Sequence, residues 1–101
     1  MLEVYRQAYE KKDLRLLDTV YVTLAPAQKD ANTKYFHNTK DLRVNIRDVD
    51  IAVRGNEAVV SYTREDQFLD AKSGQNVKLE TRFTKLLERK DGTWKIMVGP
   101  R

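Results

Sequence analysis

Along the first third of the chain, apolar residues recur three and four positions apart. Leu2, Tyr5, Ala8 and Tyr9 fall on one helical face, while Glu3, Arg6, Glu10 and Lys11 fall on the other, so the spacing predicts an amphipathic helix over residues 2–12. Asp13 suits the cap of a second short helix, because its carboxylate can accept a free backbone N–H, and Leu14, Leu17, Val20 and Tyr21 form the apolar side of that helix. The "KKD" between the two reads as a corner. A third helix is expected from Pro26 to Phe36, with proline in a first turn that needs no donor. Its pattern is weaker: Ala27, Ala31 and Phe36 are apolar but "KDANTKY" is mostly polar, which suits a helix on the surface or over the rim of a cavity.

From Leu42 the period changes to two. Val44 and Ile46 alternate with polar neighbours, and Val49, Ile51 and Val53 continue in the opposite phase. One inserted residue produces such a slip, which places a β-bulge near Arg47 and Asp48. "RGNE" predicts a tight hairpin turn in which Gly55 and Asn56 take left-handed conformations. "AVVSYTREDQFLD" is the second strand, "KSGQN" a turn and "VKLETRFTKLLER" the third strand. Asp91 and Gly92 make the last turn before "WKIMV", where Trp94, Ile96 and Val98 alternate with Lys95 and Met97. Ala58, Val60, Tyr62 and Phe68 share one side of the second strand, and Val77, Leu79 and Phe83 one side of the third. The fold class is α+β: three N-terminal helices packed on a curved four-stranded antiparallel sheet.

At 101 residues one domain is expected, spanning 1–101. Apolar residues at 41% and charged ones at 34% indicate a globular chain with a well-solvated outside rather than a disordered one. No apolar run approaches the roughly 18 residues of a membrane span, and no signal-peptide pattern opens the chain, so no membrane contact is expected. Cysteine is absent, which removes disulfides, thiol catalysis and cysteine-ligated zinc. A helical pattern that opens at Leu2 fits a domain cut from a longer chain. The expected compartment is the cytoplasm if that longer chain is not exported. The net charge of +4 is spread from Arg6 to Arg101 among Asp and Glu, without a basic stripe, so nucleic acid is not the expected partner.

Chemistry-bearing residues are few. Tyr5 and Tyr9 can present hydroxyls to a ligand or pack as core residues with hydroxyls at the edge. His37, the only histidine, stands at the end of the third helix, where it can line a pocket mouth and act as a base, or cap the helix. Arg64 and Asp66 share a strand side with Tyr62 and Phe68. Two placements are open for them: in a pocket beneath the helices, or in water beyond the core. One histidine without acidic neighbours at ligand spacing makes no metal site, and no glycine-rich phosphate loop or Ser–His–acid set occurs. Neither metal nor cofactor is expected.

The "YxxAYExKDL" helix, the second helix ending in "VY", the hairpin "DLRVNIRDVDIAVRGNEAVVSY" and the terminal "DGTWKI" together resemble the nuclear transport factor 2-like superfamily, with its ketosteroid isomerase-like and SnoaL-like domains. The likeness covers nearly the whole chain, which is short for the superfamily. It is similar to bacterial versions that follow kinase or other signalling domains. The resemblance implies a cystatin-like cone with a pocket between helices and sheet, and a homodimer formed through the outer sheet face. In isomerase-type relatives a tyrosine on the first helix and a neutral aspartic acid on a late strand stabilise an oxyanion, while a separate carboxylate acts as base. The tyrosine position falls on Tyr5. The acid position falls near Thr81, and the base position in "VTLAPAQ", which has no carboxylate. Tyr5, His37 and Asp66 are thus the catalytic candidates, and Tyr5, Tyr9, Tyr62, Arg64, Asp66, Thr81 and Phe83 the expected pocket. The expected function is a non-catalytic association or small-ligand module. The alternatives are a SnoaL- or isomerase-like enzyme acting on a small hydrophobic substrate, and weak nucleic-acid binding.

Overall fold

Asp13 separates the first two helices. In the computed structural model, which describes residues 1–97, helix α1 (Leu2–Glu10) ends at a turn where Lys12 takes a left-handed φ of 55°. The Asp13 carboxylate then accepts the Leu16 N–H at 3.1 Å and opens α2 (Leu14–Thr19). Helix α3 (Pro26–Asn38) begins on its proline, with the Gln28 side chain accepting the Ala25 N–H at 3.1 Å. It runs two residues past the expected end at Phe36, and its last residue leads directly into the sheet.

Four antiparallel strands follow in the order β1 (Thr39–Arg54), β2 (Glu57–Asp70), β3 (Asn76–Lys90) and β4 (Thr93–Ile96), curling around the helices. Strand β1 begins three residues before the expected Leu42, because a first bulge, with Asp41 at φ 52°, lies between Lys40 and Arg43. This irregularity breaks the alternation there and hides the strand start. The second bulge lies between Arg47 and Asp50, with Asp48 at φ 54°, where the phase slip placed it. At the first hairpin only Gly55 is left-handed, at φ 60°, not Asn56. Asn56 is instead held by Arg89, whose backbone N–H donates to its carbonyl at 2.8 Å and whose guanidinium donates to its side-chain oxygen. At the last hairpin both Asp91 and Gly92 are left-handed, as a two-residue turn of this hand requires. Val98 lies outside the described residues.

Register sorts the two sheet faces into rows. The helix-facing rows are Val44–Asp66–Leu79, Ile46–Arg64–Thr81, Tyr62–Phe83, Ile51–Val60–Lys85 and Val53–Ala58–Leu87–Ile96. Tyr5, Ala8, Leu17, Val20, Leu24 and Phe36 close over these rows and form one core with them. The segment after α2 seals the sheet's far edge: Val22 donates its N–H to the Ile96 carbonyl at 2.8 Å, and Ile96 donates back to Val20 at 2.7 Å. Glu10, expected on the solvent face of α1, turns toward the sheet. Its carboxylate accepts the Val44 N–H at 2.8 Å, just past the first bulge.

The core assignment has a direct test. Leu17, fully buried, is expected to cost about 2–5 kcal/mol on truncation to alanine, whereas Leu86→Ala on the outer face changes stability by about 0.5 kcal/mol or less. Urea unfolding of both variants checks this, and comparable losses would contradict the placement of the core.

Candidate functional site

Tyr5 and Tyr9 stand one helical turn apart on α1, so both rings reach the sheet at the same place. There they meet Arg64 and Asp66, which alternate along β2 on its helix-facing side and are 8% and 4% exposed. The Arg64 guanidinium grips Asp66 with two bonds, Nε to Oδ1 at 2.8 Å and Nη2 to Oδ2 at 2.7 Å. Its Nη1 donates to the Tyr5 hydroxyl oxygen at 2.8 Å, and its plane lies 4.0 Å from the centre of the Tyr9 ring. From α3, the Tyr35 hydroxyl donates to Asp66 Oδ2, and the Asn32 side chain accepts the Tyr9 hydroxyl at 3.0 Å. Against the burial that disfavours its charge, the Asp66 bonds hold the Arg64 pKa above its ordinary value.

Around this pair lies a cavity of about 270 Å³, closed on the third side by β3. Every second residue of that strand, from Leu79 through Thr81 and Phe83 to Lys85, lines it. Tyr62 lies beneath, edge-on to Tyr5 and stacked on Phe83, with its hydroxyl buried and without a partner among the described residues. All five tyrosines of the chain are thus at this site, four on the wall and one under it.

Of the two placements left open for Arg64 and Asp66, the structure adopts the buried one. Tyr5, Tyr9, Arg64, Asp66, Thr81 and Phe83 share the cavity wall. His37 does not join them: it is exposed and lies beside Lys12, Leu14, Thr33 and Phe36 in a separate hollow. Tyr21, Asn32, Tyr35 and Lys85 were not picked out from the sequence. Asn32 and Tyr35 sit in the polar stretch of α3 without apolar periodicity to flag them. Lys85 carries a readable signal, since it shares strand parity with Phe83 and Leu87, but a lysine at a core-facing position is ordinarily assigned to solvent. Among the described residues no group of three His, Asp or Glu side chains stands close enough to hold a metal ion.

Residues 18–98 match the family model described as a SnoaL-like domain. No curated protein matches the chain. Solved structures do. One is a nuclear transport factor 2-like superfamily protein from Salmonella enterica serovar Typhimurium: TM-score 0.81 at 15% identity, over 94% of this chain and 80% of that one. A second, from Novosphingobium aromaticivorans, is provisionally designated a scytalone dehydratase: TM-score 0.82 at 16% identity, over 94% and 73%. A third is a hexachlorocyclohexane dehydrochlorinase from Novosphingobium barchaimii: TM-score 0.80 at 13% identity, over 94% and 75%. At these identities the likeness establishes the cone-shaped fold.

The buried phenols make alkaline stability a readout of the site. Burial pushes the Tyr9 hydroxyl from 10 up to about 12 and also raises Tyr21, Tyr35 and Tyr62. Unfolded tyrosines ionise near pH 10, so above that pH the unfolded chain releases protons that the folded chain keeps. Stability is therefore undiminished below pH 10 and falls as pH rises toward 12, by about 1.4 kcal/mol per unit for Tyr9 alone. Tyrosinate absorbance is expected to appear together with the loss of circular dichroism. Absorbance that titrates in full near pH 10, while the fold persists, would contradict the buried placement.

Proposed function

The chain belongs to the SnoaL-like domain family, and within that family we propose that it is a non-catalytic domain that holds a small, mainly aromatic molecule in the cavity between α1, α3 and the sheet. The observation that carries this reading is the state of Asp66. Among the described residues it is the only carboxylate on the cavity wall, and Arg64 and Tyr35 occupy both of its oxygens. A general base must reach its proton with a free lone pair, and this carboxylate is spent on holding the fold. The cavity volume of about 270 Å³ equals about nine water molecules. That is room for a single substituted ring, with Tyr5, Tyr9, Tyr35 and Phe83 offering aromatic surface.

A second reading, a SnoaL-like enzyme acting on a small hydrophobic substrate, is favoured by Tyr5. Its oxygen accepts from Arg64, which leaves its own proton for a substrate oxygen. In that reading Tyr5→Phe lowers turnover of the folded protein, besides the about 1–3 kcal/mol of stability lost when Arg64 Nη1 is left without its acceptor. In the binding reading the same change brings the same loss of stability and alters affinity, with no turnover to lose.

The expected homodimer is proposed on the outer face of the sheet. There the rows run Arg43–Gln67–Lys78, Asn45–Glu65–Glu80, Arg47–Thr63–Arg82, Asp50–Ser61–Thr84 and Ala52–Val59–Leu86. Basic and acidic rows adjoin an exposed apolar one, so a second copy related by a two-fold axis can answer each charge. Leu86→Lys is expected to shift sedimentation toward the monomer, and a wild-type monomer across micromolar concentrations would count against the interface. The same mixing of signs, with Arg47 on Glu65 and Glu80 and Arg82 on Asp50, argues against phosphate-backbone docking.

The binding reading is tested by filling the cavity. Thr81 is exposed on its wall, so Thr81→Trp occupies the space without disturbing the core. Single-ring aromatic compounds are expected to raise the melting temperature of the wild type but not of this variant. Equal stabilisation of both would place binding elsewhere.

A further inference from the structure

Among the described residues, Lys85 is the one charged side chain at the cavity without an ion-pair partner. Counted over the cavity wall, Arg64 and Asp66 cancel, and Lys85 leaves the site with one net positive charge among the described residues. No carboxylate of those residues lies within ion-pair distance of its ammonium, which instead stands 5.0 Å from the centre of the Phe83 ring. Register fixes this position. Lys85 pairs with Val60 on the helix-facing side, two residues from Phe83 and two from the buried Leu87, so its stem runs over the sheet toward the cavity rather than outward. Burial, and then the nearby Arg64, push its pKa below the ordinary lysine value. A cation held in this way is costly while unpaired, and an anion placed beside it relieves both effects.

The rest of the wall limits the form of such an anion. Arg64 is already committed, since its Nε and Nη2 each donate to Asp66 and its Nη1 to Tyr5, and its charge is answered by Asp66. Aromatic faces occupy most of the remaining wall. The volume suits one ring, and one ammonium suits one negative charge.

Resting on the cavity as the ligand site, we propose that its ligand class is a small aromatic monocarboxylate, with the carboxylate on the Lys85 ammonium and the ring among Tyr5, Tyr9, Tyr35 and Phe83. Charge therefore discriminates between otherwise similar rings. A neutral isostere fills the same space but leaves the ammonium unpaired, and a cationic analogue meets both Lys85 and Arg64.

The test compares benzoate, benzamide and benzylamine, titrated into the full chain and followed by backbone amide shifts. Benzoate is expected to bind about tenfold more tightly than benzamide, the scale of one charge-assisted hydrogen bond, and benzylamine more weakly than either. In Lys85→Met the preference for benzoate is expected to disappear while benzamide binding stays. Lys85→Arg, which keeps the charge, is expected to restore most of the preference, and the amide spectra show directly that both variants are folded. Equal affinity for benzoate and benzamide in the wild type, or an unchanged preference in Lys85→Met, overturns the carboxylate assignment while the cavity remains a ligand site. No saturable shift from any of the three probes overturns the ligand-site reading together with this one.

Discussion

Taking an arginine and an aspartate out of water costs several kcal/mol per ion, and their mutual attraction offsets that cost only when the remaining donors and acceptors are also satisfied. Around Arg64 and Asp66 every guanidinium nitrogen and both carboxylate oxygens have a partner. The pair is bidentate, Tyr5 accepts the third guanidinium bond, Tyr35 donates to the carboxylate and the Tyr9 ring covers the guanidinium face. These partners come from α1 and α3, so the pair can be satisfied only when both helices are docked on β2. It thereby fixes where the helices sit. A buried ion pair of this kind is poor evidence of added stability. Its stronger effect here is on register, because a shift of either helix by one turn would strand a buried charge.

The bulge at Asp48 serves the same geometry from the other side of the sheet. Two residues of β1 stand opposite Tyr62 at that point, and the pairing resumes with Asp50 on Ser61, which sets Ile51 on Val60. Without the extra residue, Ile51 and Val53 would turn outward and Asp50 and Ala52 inward. Although the bulge returns Ile51 and Val53 to the inner phase, they remain 60% and 62% exposed. The strands outrun the helical layer at that end and leave an apolar groove of about 400 Å³, lined by Met1, Leu2, Ile51, Val53 and Trp94 among others. At the other end, the first bulge leaves the Val44 N–H to Glu10, so α1 is tied to the sheet by a polar bond as well as by its apolar face.

How much of this was legible depends on what carries each feature. Periodicity marks elements because burial is repetitive, and so the three helices, the hairpins, the second bulge and the inner sides of β2 and β3 could all be read from residue spacing. The first bulge interrupts the repeat before it is established, which is why the alternation becomes readable only from Leu42. Tyr35 and Asn32 escaped for a different reason. Each acts through one polar bond to a residue far along the chain, Asp66 or Tyr9, and a single long-range bond leaves no periodic trace. His37 drew notice as the only histidine, a matter of chemistry without position, and α3 turns it away from the site. For Arg64 and Asp66 the sequence could show that they share a side, but whether that side is wet depends on where α1 and α3 dock.

The same dependence limits what fold similarity can say about chemistry. The cone is shared with proteins named as a dehydratase and a dehydrochlorinase, but a shared cone positions side chains without assigning them work. What separates a catalyst from a binder at this site is the freedom of one carboxylate. Asp66 receives three donors from two residues, so recruiting it as a base would mean breaking bonds that also hold the helices. Among the described residues Lys85 is tied to no other in this way, so its ammonium closes no network there and its loss would leave none of them unpaired. The charged group on the cavity wall without a partner among the described residues is therefore the cation on β3. In this chain, the ion pair that holds the helices and the cation without a partner among the described residues fall on different residues of one cavity.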